Sequence, residues 1–215
     1  MSVTTLFFDL DGTVSDNLVG IHRCLNYAFE RLGLEAIDEA TARTMIGPPF
    51  RVSLPRLYPR IDVEAALRHY RERYAAVGWR ENALYQGIEE ALRRLHLYGY
   101  TLALCTSKPR SFAVRIVEHF GLARYFDGVY GAEFDGRFDR KDELLGHLIG
   151  VYGTPPACAV MIGDRGHDVM AAKAHGVRSI GVTWGFGAVE ELRTAGADEL
   201  VTDPSALVYR INALR

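Results

Sequence analysis

Near its N-terminus the chain reads VTTLFFDLDGT at residues 3–13. The first part of this stretch, residues 3–8, is rich in β-forming residues and becomes continuously apolar, which is typical of a buried strand. The apolar run stops at Asp9, and Gly12 favours a sharp turn because glycine adopts backbone angles that other residues avoid. The stretch therefore predicts a buried strand with two acidic residues, Asp9 and Asp11, at its carboxyl end.

Similar short apolar runs recur along the chain, and segments with helical spacing of apolar residues lie between them. The other predicted strands are 100–105, 157–162, 179–182 and 199–201. The predicted helices are 87–97, 109–120, 141–151, 166–175, 187–195 and 205–213. Because strands that alternate with helices form parallel sheets covered on both faces, the sequence predicts an α/β core.

One long stretch, residues 17–78, breaks this alternation. It contains no convincing strand, and its apolar residues fall at helical spacing in two segments. These residues are Leu18, Ile21, Leu25, Ala28, Phe29 and Leu32, and then Val63, Ala66, Leu67, Tyr70, Tyr74 and Val77. We therefore expect a helical domain at 17–78, inserted into a core domain of 1–16 and 79–215.

Composition and charge restrict the partners of the chain. Its 215 residues are 48% apolar and 24% charged, which is enough for one good core and a smaller accessory domain. A net charge of -2, with both signs mixed along the chain, provides no basic stripe for nucleic acid and no basic patch for a membrane. We expect a small-molecule partner, and either a monomer or a homodimer.

The spacing of the cysteines bears on disulfide bonds and zinc binding. Cys24, Cys105 and Cys158 are widely spaced and form no CxxC pair, so neither a disulfide framework nor a zinc site is predicted. No basic segment with a following apolar run marks a secretory signal, and no apolar stretch approaches membrane-spanning length. The sequence favours a cytoplasmic protein.

Two acid pairs follow predicted strands, at the sheet edge where ligands of open parallel sheets bind. Asp9 and Asp11 are two residues apart, so the strand period of two can direct both carboxyl groups to one side. Asp164 and Asp168 follow the strand at 157–162. Such hard oxygen ligands, gathered around an anion site, predict a magnesium ion.

Hydroxyls and a lysine complete the set of candidates. Thr106 and Ser107 follow the strand at 100–105, and Pro109 suits the first turn of a helix, whose free N–H groups favour an anion. Lys141 opens another helix and could supply a positive charge to a phosphoryl group. Alone, these motifs also occur as solvated turns, helix caps and surface lysines, but their joint occurrence at strand ends favours function. We interpret His167 and Cys105 as structural residues.

These motifs resemble the haloacid dehalogenase-like superfamily over essentially the whole chain. Its four motifs are similar, in order and spacing, to 9–13, Thr106, Lys141, and Gly163-Asp164 with Asp168. The resemblance implies a Rossmannoid three-layer core and a helical cap inserted after the first motif.

The resemblance also implies the roles of the site residues. Asp9 would be the nucleophile that forms an aspartyl-phosphate, and Asp11 would be the general acid and base. Magnesium would be held by the Asp9 side chain, the Asp11 backbone carbonyl and Asp164, with Asp168 ordering its waters. The phosphoryl oxygens would be held by Thr106 and Lys141, with Ser107 beside them.

Asp11 separates the activities of the superfamily. Its dehalogenases lack an acid two residues after the nucleophile, because a halide needs no protonation. Its phosphonatases also lack this acid and use a cap lysine, whereas residues 17–78 contain no lysine. The resemblance therefore implies hydrolysis of phosphate monoesters.

Finer motifs bear on the substrate. The segments 46–49, 141–143, 163–168 and 181–187 resemble the phosphoglycolate-phosphatase-like group, and within it a 5'-nucleotidase branch. The resemblance implies a nucleoside 5'-monophosphate as substrate, with a phosphoglycolate or sugar-phosphate phosphatase as the alternative. The loop at 47–50 could bring Phe50 to the organic part of the substrate, and Arg43 or Arg51 to its polar groups. Alternatively, it is an interhelix turn, with Phe50 in the core of the inserted domain and both arginines solvated.

Two other functions share these motifs. A β-phosphoglucomutase-like isomerase would return the phosphoryl group to a bound sugar, and a phospho-accepting signalling module would combine an acid cluster, a hydroxyl and a lysine without turnover. Asp11 and the inserted cap argue against the module.

Overall fold

The structure, a computed structural model, describes residues 2–214. Its eight strands are β1 (Thr5–Phe8), β2 (Ser15–Asp16), β3 (Ala83–Leu84), β4 (Thr101–Pro109), β5 (Gly128–Ala132), β6 (Ala159–Gly163), β7 (Arg178–Val182) and β8 (Glu199–Val201). Its ten α-helices are α1 (Leu18–Arg31), α2 (Glu39–Met45), α3 (Phe50–Leu57), α4 (Val63–Ala76), α5 (Ile88–Leu97), α6 (Arg110–His119), α7 (Lys141–Tyr152), α8 (Gly166–Ala174), α9 (Val189–Ala195) and α10 (Pro204–Asn212).

Within the described residues, six strands form one parallel sheet in the order β5-β4-β1-β6-β7-β8. The strand that opens the sequence lies in the middle of this sheet, between β4 and β6. In its register, Phe8 lies beside Leu104 of β4 and Ile162 of β6. The residues that follow Phe8, Leu104 and Ile162 therefore reach the same edge of the sheet.

Helices cover the sheet. On one face, Phe7 of β1 and Met161 of β6 belong to a cluster of buried side chains with Leu144, Leu145 and Leu148 of α7. Helix α10 packs on α5, and the Tyr100 hydroxyl donates to the backbone oxygen of Ile211. The predicted α/β, Rossmann-like core with a parallel sheet is confirmed.

The two-residue strands β2 and β3 were not predicted, and neither was β5, while β4 is longer than predicted. Strand β5 reads GVYGA, and its two glycines conceal a strand because glycine has low β propensity. Strand β4 continues past Cys105 to Pro109, so Thr106 and Ser107 lie in the strand, and Pro109 caps α6 instead of lying in its first turn.

The chain divides into two compact units. One unit comprises the residues up to Ser15 and from Leu84 onward, and the other comprises Asp16–Ala83. The second unit consists of α1 to α4 and a 3-10 turn, and α1 packs against α4. Its core contains Phe29 and Tyr74, both fully buried.

Among residues 2–214, no helix has the combination of length and apolar character needed to cross a bilayer.

Candidate active site

The central strands place acidic side chains together at the carboxyl edge of the sheet. Asp9 follows β1, and Asp164 follows β6, its neighbour in the sheet. Asp168 lies in the first turn of α8, which begins two residues after Asp164. All three side chains are buried, with Asp9 only 3% exposed. Because burial penalises negative charge, each carboxylate needs a compensating partner.

Lys141 compensates two of these acids. Its Nζ lies 2.8 Å from Asp9 Oδ1 and also donates to Asp168 Oδ1. Burial alone would lower the pKa of Lys141, but Asp168 and Asp9 outweigh it and raise this pKa above its usual range. Burial raises the pKa of Asp9 to about 6, although Lys141 opposes the shift.

Asp168 is fixed by the backbone at the start of its helix. Its Oδ2 accepts a hydrogen bond from the Arg165 backbone N–H, at 3.0 Å. Gly163 makes room for it, since a Cβ there would lie 2.2 Å from the Asp168 carboxyl carbon. Despite its burial, Asp168 has a lowered pKa, because the Lys141 ammonium favours its charged form.

Asp164 is held by a loop that sequence reasoning did not assign to the site. Its Oδ2 accepts from the backbone N–H groups of Phe186, at 2.7 Å, and Gly187, at 3.3 Å. Its Oδ1 accepts from the Thr13 hydroxyl at 3.3 Å. The same loop is tied to the first motif, because Trp184 Nε1 donates to the Thr13 backbone oxygen at 3.0 Å.

The charge of Asp164 is the least compensated in the site. It forms no ion pair with any residue of the described chain, and its hydrogen bonds come from neutral donors. Burial, with the charges of Asp9 and Asp168, raises the pKa of Asp164 to about 8. The site holds more buried carboxylates than buried lysines, and carboxylate oxygens are hard ligands. Such a site suits a divalent cation such as Mg²⁺.

A second buried lysine was missed by the sequence analysis. Lys108 Nζ lies 2.8 Å from Asp11 Oδ2, and the Lys108 side chain is only 5% exposed. Lys108 follows the apolar run of β4, and this place at the carboxyl end of a strand could have indicated that it lies at the same sheet edge.

The predicted phosphate-binding hydroxyls lie at the same end of β4. Thr106 is buried, and its Oγ1 accepts from the Lys108 backbone N–H at 3.3 Å. Ser107 is half-buried. Their phosphate-binding role stays a prediction.

His167, predicted to be structural, lies in the first turn of α8, next to Asp168. One ligand atom each from His167, Asp9 and Asp168 lies within 4.8 Å of the others. The Lys141 ammonium contacts both acids of this group, so a positive charge is already present there. Burial lowers the pKa of His167 to about 4, which keeps the ring neutral near pH 7.

The three predicted substrate residues lie in the Asp16–Ala83 unit, and the structure gives their contacts there. The Phe50 ring packs edge-on against Tyr70, with centroids 4.9 Å apart. Arg51 forms an ion pair with Glu64 at 2.8 Å. Arg43 is exposed in the last turn of α2. Contact of these residues with a substrate stays a prediction.

Comparison with known proteins agrees with this geometry. The family model described as "Haloacid dehalogenase-like hydrolase" matches residues 6–182. The chain therefore belongs to the haloacid dehalogenase-like hydrolases, as its motifs predicted.

Individual relatives carry phosphatase names. A 5'-nucleotidase of Pseudomonas aeruginosa is 41% identical over 204 residues, which cover 94% of this chain and 92% of that protein. A phosphoglycolate phosphatase of Vibrio parahaemolyticus is 29% identical over 216 residues, covering 96% and 95%. The crystal structure of a predicted phosphatase from Clostridium acetobutylicum superposes with a TM-score of 0.96, at 36% identity and full coverage of both chains. The prediction of a hydrolytic enzyme related to these phosphatases is confirmed.

Proposed function

We propose that this protein hydrolyses small-molecule phosphate monoesters with the help of Mg²⁺, through a phosphoryl intermediate on Asp9. The observation that carries the proposal is the pairing of two acids with two buried lysines at one sheet edge, Asp9 with Lys141 and Asp11 with Lys108. One acid is then available for attack and the other for proton transfer.

The proposed reaction has two steps. In the first, an Asp9 carboxylate oxygen bonds to phosphorus, the ester P–O bond breaks, and Asp11 gives its proton to the leaving oxygen. In the second, Asp11 takes a proton from water, the water oxygen bonds to phosphorus, and the bond from phosphorus to Asp9 breaks. Lys141, with Thr106 and Ser107, holds the phosphoryl oxygens, because phosphoryl transfer depends mostly on positioning and neutralisation of charge.

The cation would be held by the Asp9 and Asp164 carboxylates and the Asp11 backbone oxygen, with Asp168 ordering its waters. When bound, it supplies positive charge against the phosphoryl oxygens. The burial of Asp164, whose hydrogen bonds come from neutral donors, supports this assignment. We expect chelation by EDTA to stop turnover and added Mg²⁺ to restore it.

We further propose that residues 17–78 act as a cap that selects the substrate and excludes water. Within it, Phe50 would contact the organic part of the substrate, and Arg43 or Arg51 its polar groups. Replacement of Phe50 by Ala should then raise KM, and an unchanged KM would favour a purely structural role in the contact with Tyr70. The expected cytoplasmic location stays a prediction.

The proposed substrate class is the nucleoside 5'-monophosphates. The sequence identity of 41% to a protein named 5'-nucleotidase supports this substrate class. The phosphoglycolate phosphatase of Vibrio parahaemolyticus, at 29%, supports the alternative of a smaller phosphate ester.

A phosphate-release screen separates these substrates. Nucleoside 5'-monophosphates, phosphoglycolate and hexose phosphates are each supplied with Mg²⁺, and we expect the highest kcat/KM for a nucleotide. A hexose 1-phosphate with a trace of the bisphosphate tests the isomerase, which would convert the sugar with little free phosphate. A long-lived phosphoprotein without turnover of any ester would identify a signalling module instead.

A further inference from the structure

The ion pair between Lys108 and Asp11 helps to define the site, but Lys108 itself takes no part in the two reaction steps above. The two side chains are 5% and 14% exposed, and their charged atoms are 2.8 Å apart. A pair so well shielded from water keeps its geometry better than an exposed pair, whose long side chains stay mobile. Lys108 therefore restricts the direction in which the Asp11 carboxyl group can turn.

The two oxygens of Asp11 have different surroundings. Oδ2 accepts from Lys108, whereas Oδ1 is buried and has no hydrogen-bond partner among the described residues. A buried polar atom without a protein partner is costly unless another group hydrogen-bonds to it. Oδ1 is thus the oxygen that the structure leaves for a proton donor or acceptor on a substrate.

The backbone at Lys108 is shaped to deliver its side chain. Between Thr106 and Pro109 the pairing of β4 with β5 shifts in register, and such a bulge changes the direction of the side chains that follow. Gly131 on β5 makes the bulge possible, since a Cβ there would lie 2.3 Å from the Lys108 backbone oxygen.

We propose that Lys108 is a positioning residue for proton transfer: it holds Asp11 by Oδ2 so that Oδ1 faces the ester oxygen that departs. Lys108 keeps its own protons throughout, and the transferred proton moves only between Asp11 and the ester oxygen or water. This inference rests on the proposed function, because it concerns the acid of that reaction.

The test compares an ester whose leaving group must be protonated by Asp11 with an ester whose leaving group needs little protonation. kcat/KM reports the first step, in which the ester bond breaks, so it is measured for an alkyl phosphate and for p-nitrophenyl phosphate. Because a misplaced catalytic group costs about 100-fold, Lys108→Met should lower kcat/KM for the alkyl ester by that factor. For the aryl ester, whose leaving group needs little protonation, we expect a loss of less than about threefold.

A double-mutant cycle with Asp11→Asn completes the test. If Lys108 acts through Asp11, Lys108→Met should change kcat/KM for the alkyl ester by less than about twofold in the Asp11→Asn background. Lys173→Met, at an exposed lysine of α8, is the matched control and should retain wild-type kinetics. If Lys108→Met does not fold, Lys108→Gln gives the same comparison.

The possible results distinguish failure of this role of Lys108 from failure of the proposed function. If Lys108→Met lowers kcat/KM equally for both esters, or lowers it as much in the Asp11→Asn background as in wild type, then Lys108 binds the phosphoryl group directly. Either result would overturn the inference but not the proposed function. A wild-type protein that releases no phosphate from any ester would overturn the proposed function and, with it, this role of Lys108.

Discussion

Lys141 is the residue on which the electrostatics of the core depend. Its ammonium group contacts Asp9 and Asp168, and both carboxyl groups are almost completely buried. Removal of one member of a buried ion pair leaves an uncompensated charge, which costs far more than loss of an exposed pair. The same lysine thus supports the fold and the proposed nucleophile.

We predict that Lys141→Met lowers the free energy of unfolding by about 3 kcal/mol at pH 7.5. The loss should be smaller at pH 5, because Asp9, whose pKa is already raised to about 6, then carries a proton. Urea unfolding at both pH values, with EDTA present, measures the difference. Lys173→Met is the control, and an equal loss at both pH values would contradict the prediction.

His167 makes its own pH-dependent contribution to the stability of the folded protein. In the unfolded chain it takes up a proton near pH 6.5, whereas burial delays protonation of the folded protein to about pH 4. Between these values the unfolded state binds more protons, so this group removes stability as the pH falls. We predict that His167→Gln reduces the stability lost between pH 7 and pH 5 by on the order of 1 kcal/mol.

Urea unfolding of wild type and variant at the two pH values tests this prediction. His147→Gln, at an exposed position of α7, is the matched control. The same loss of stability in His167→Gln as in wild type would show that the ring does not resist protonation.

Single residues show how far the sequence could predict the site. Asp9, Asp11, Asp164, Asp168 and Lys141 were recognised because each follows a strand or opens a helix within a familiar motif. The role of each stays a prediction, although the structure gathers the buried ones at one sheet edge. Lys108 was not recognised, since its partner Asp11 is almost a hundred positions away and only the folded sheet brings them together.

Among the elements, the loop that follows β7 is the one that the site depends on most. Its backbone N–H groups bind Asp164, and it approaches the first motif closely. Gly185 permits this approach, because a Cβ there would lie 2.2 Å from the Gly12 backbone oxygen and 2.4 Å from the Asp164 Cβ. No side chain larger than hydrogen fits there without displacement of the loop.

We predict that Gly185→Ala destabilises the protein by about 1–3 kcal/mol and lowers kcat/KM at least about tenfold, because the added methyl group displaces the loop from Asp164. Thermal unfolding and the phosphate-release assay measure the two effects. Gly150→Ala on α7 is the control: its Cβ would meet open space, so it should be neutral or stabilise the helix by about 0.5–1 kcal/mol. Wild-type stability and activity in Gly185→Ala would contradict the prediction.

The amino-acid composition of a strand decided how well the sequence predicted it. Strands β1 and β6 consist of apolar or β-branched residues, and β7 ends in the apolar run Ile180 to Val182; all three were predicted within two residues of their observed bounds. Strand β5 escaped because Gly128 and Gly131 weaken the pattern, and β4 was shortened because Thr-Ser-Lys-Pro resembles a helix cap. Only tertiary pairing overrides these local preferences.

For the whole molecule, the break in strand–helix alternation in the sequence indicates an inserted helical segment. The structure forms two compact units, of which one comprises Asp16–Ala83. The sequence could not predict the ion pair of Arg51 with Glu64, because this pair depends on the packing of α3 against α4. Specificity is therefore the part of the function that needs experiment most.

The account as a whole depends on a phosphoryl group bound covalently to Asp9. An acyl phosphate is reduced by borohydride to an alcohol, so acid-quenched enzyme with Mg²⁺ and substrate can be reduced, digested and analysed by mass spectrometry. We predict homoserine at position 9 in the wild-type protein, and neither homoserine nor turnover in a folded Asp9→Asn variant. Rapid phosphate release by Asp9→Asn, or homoserine at another aspartate, would contradict the account.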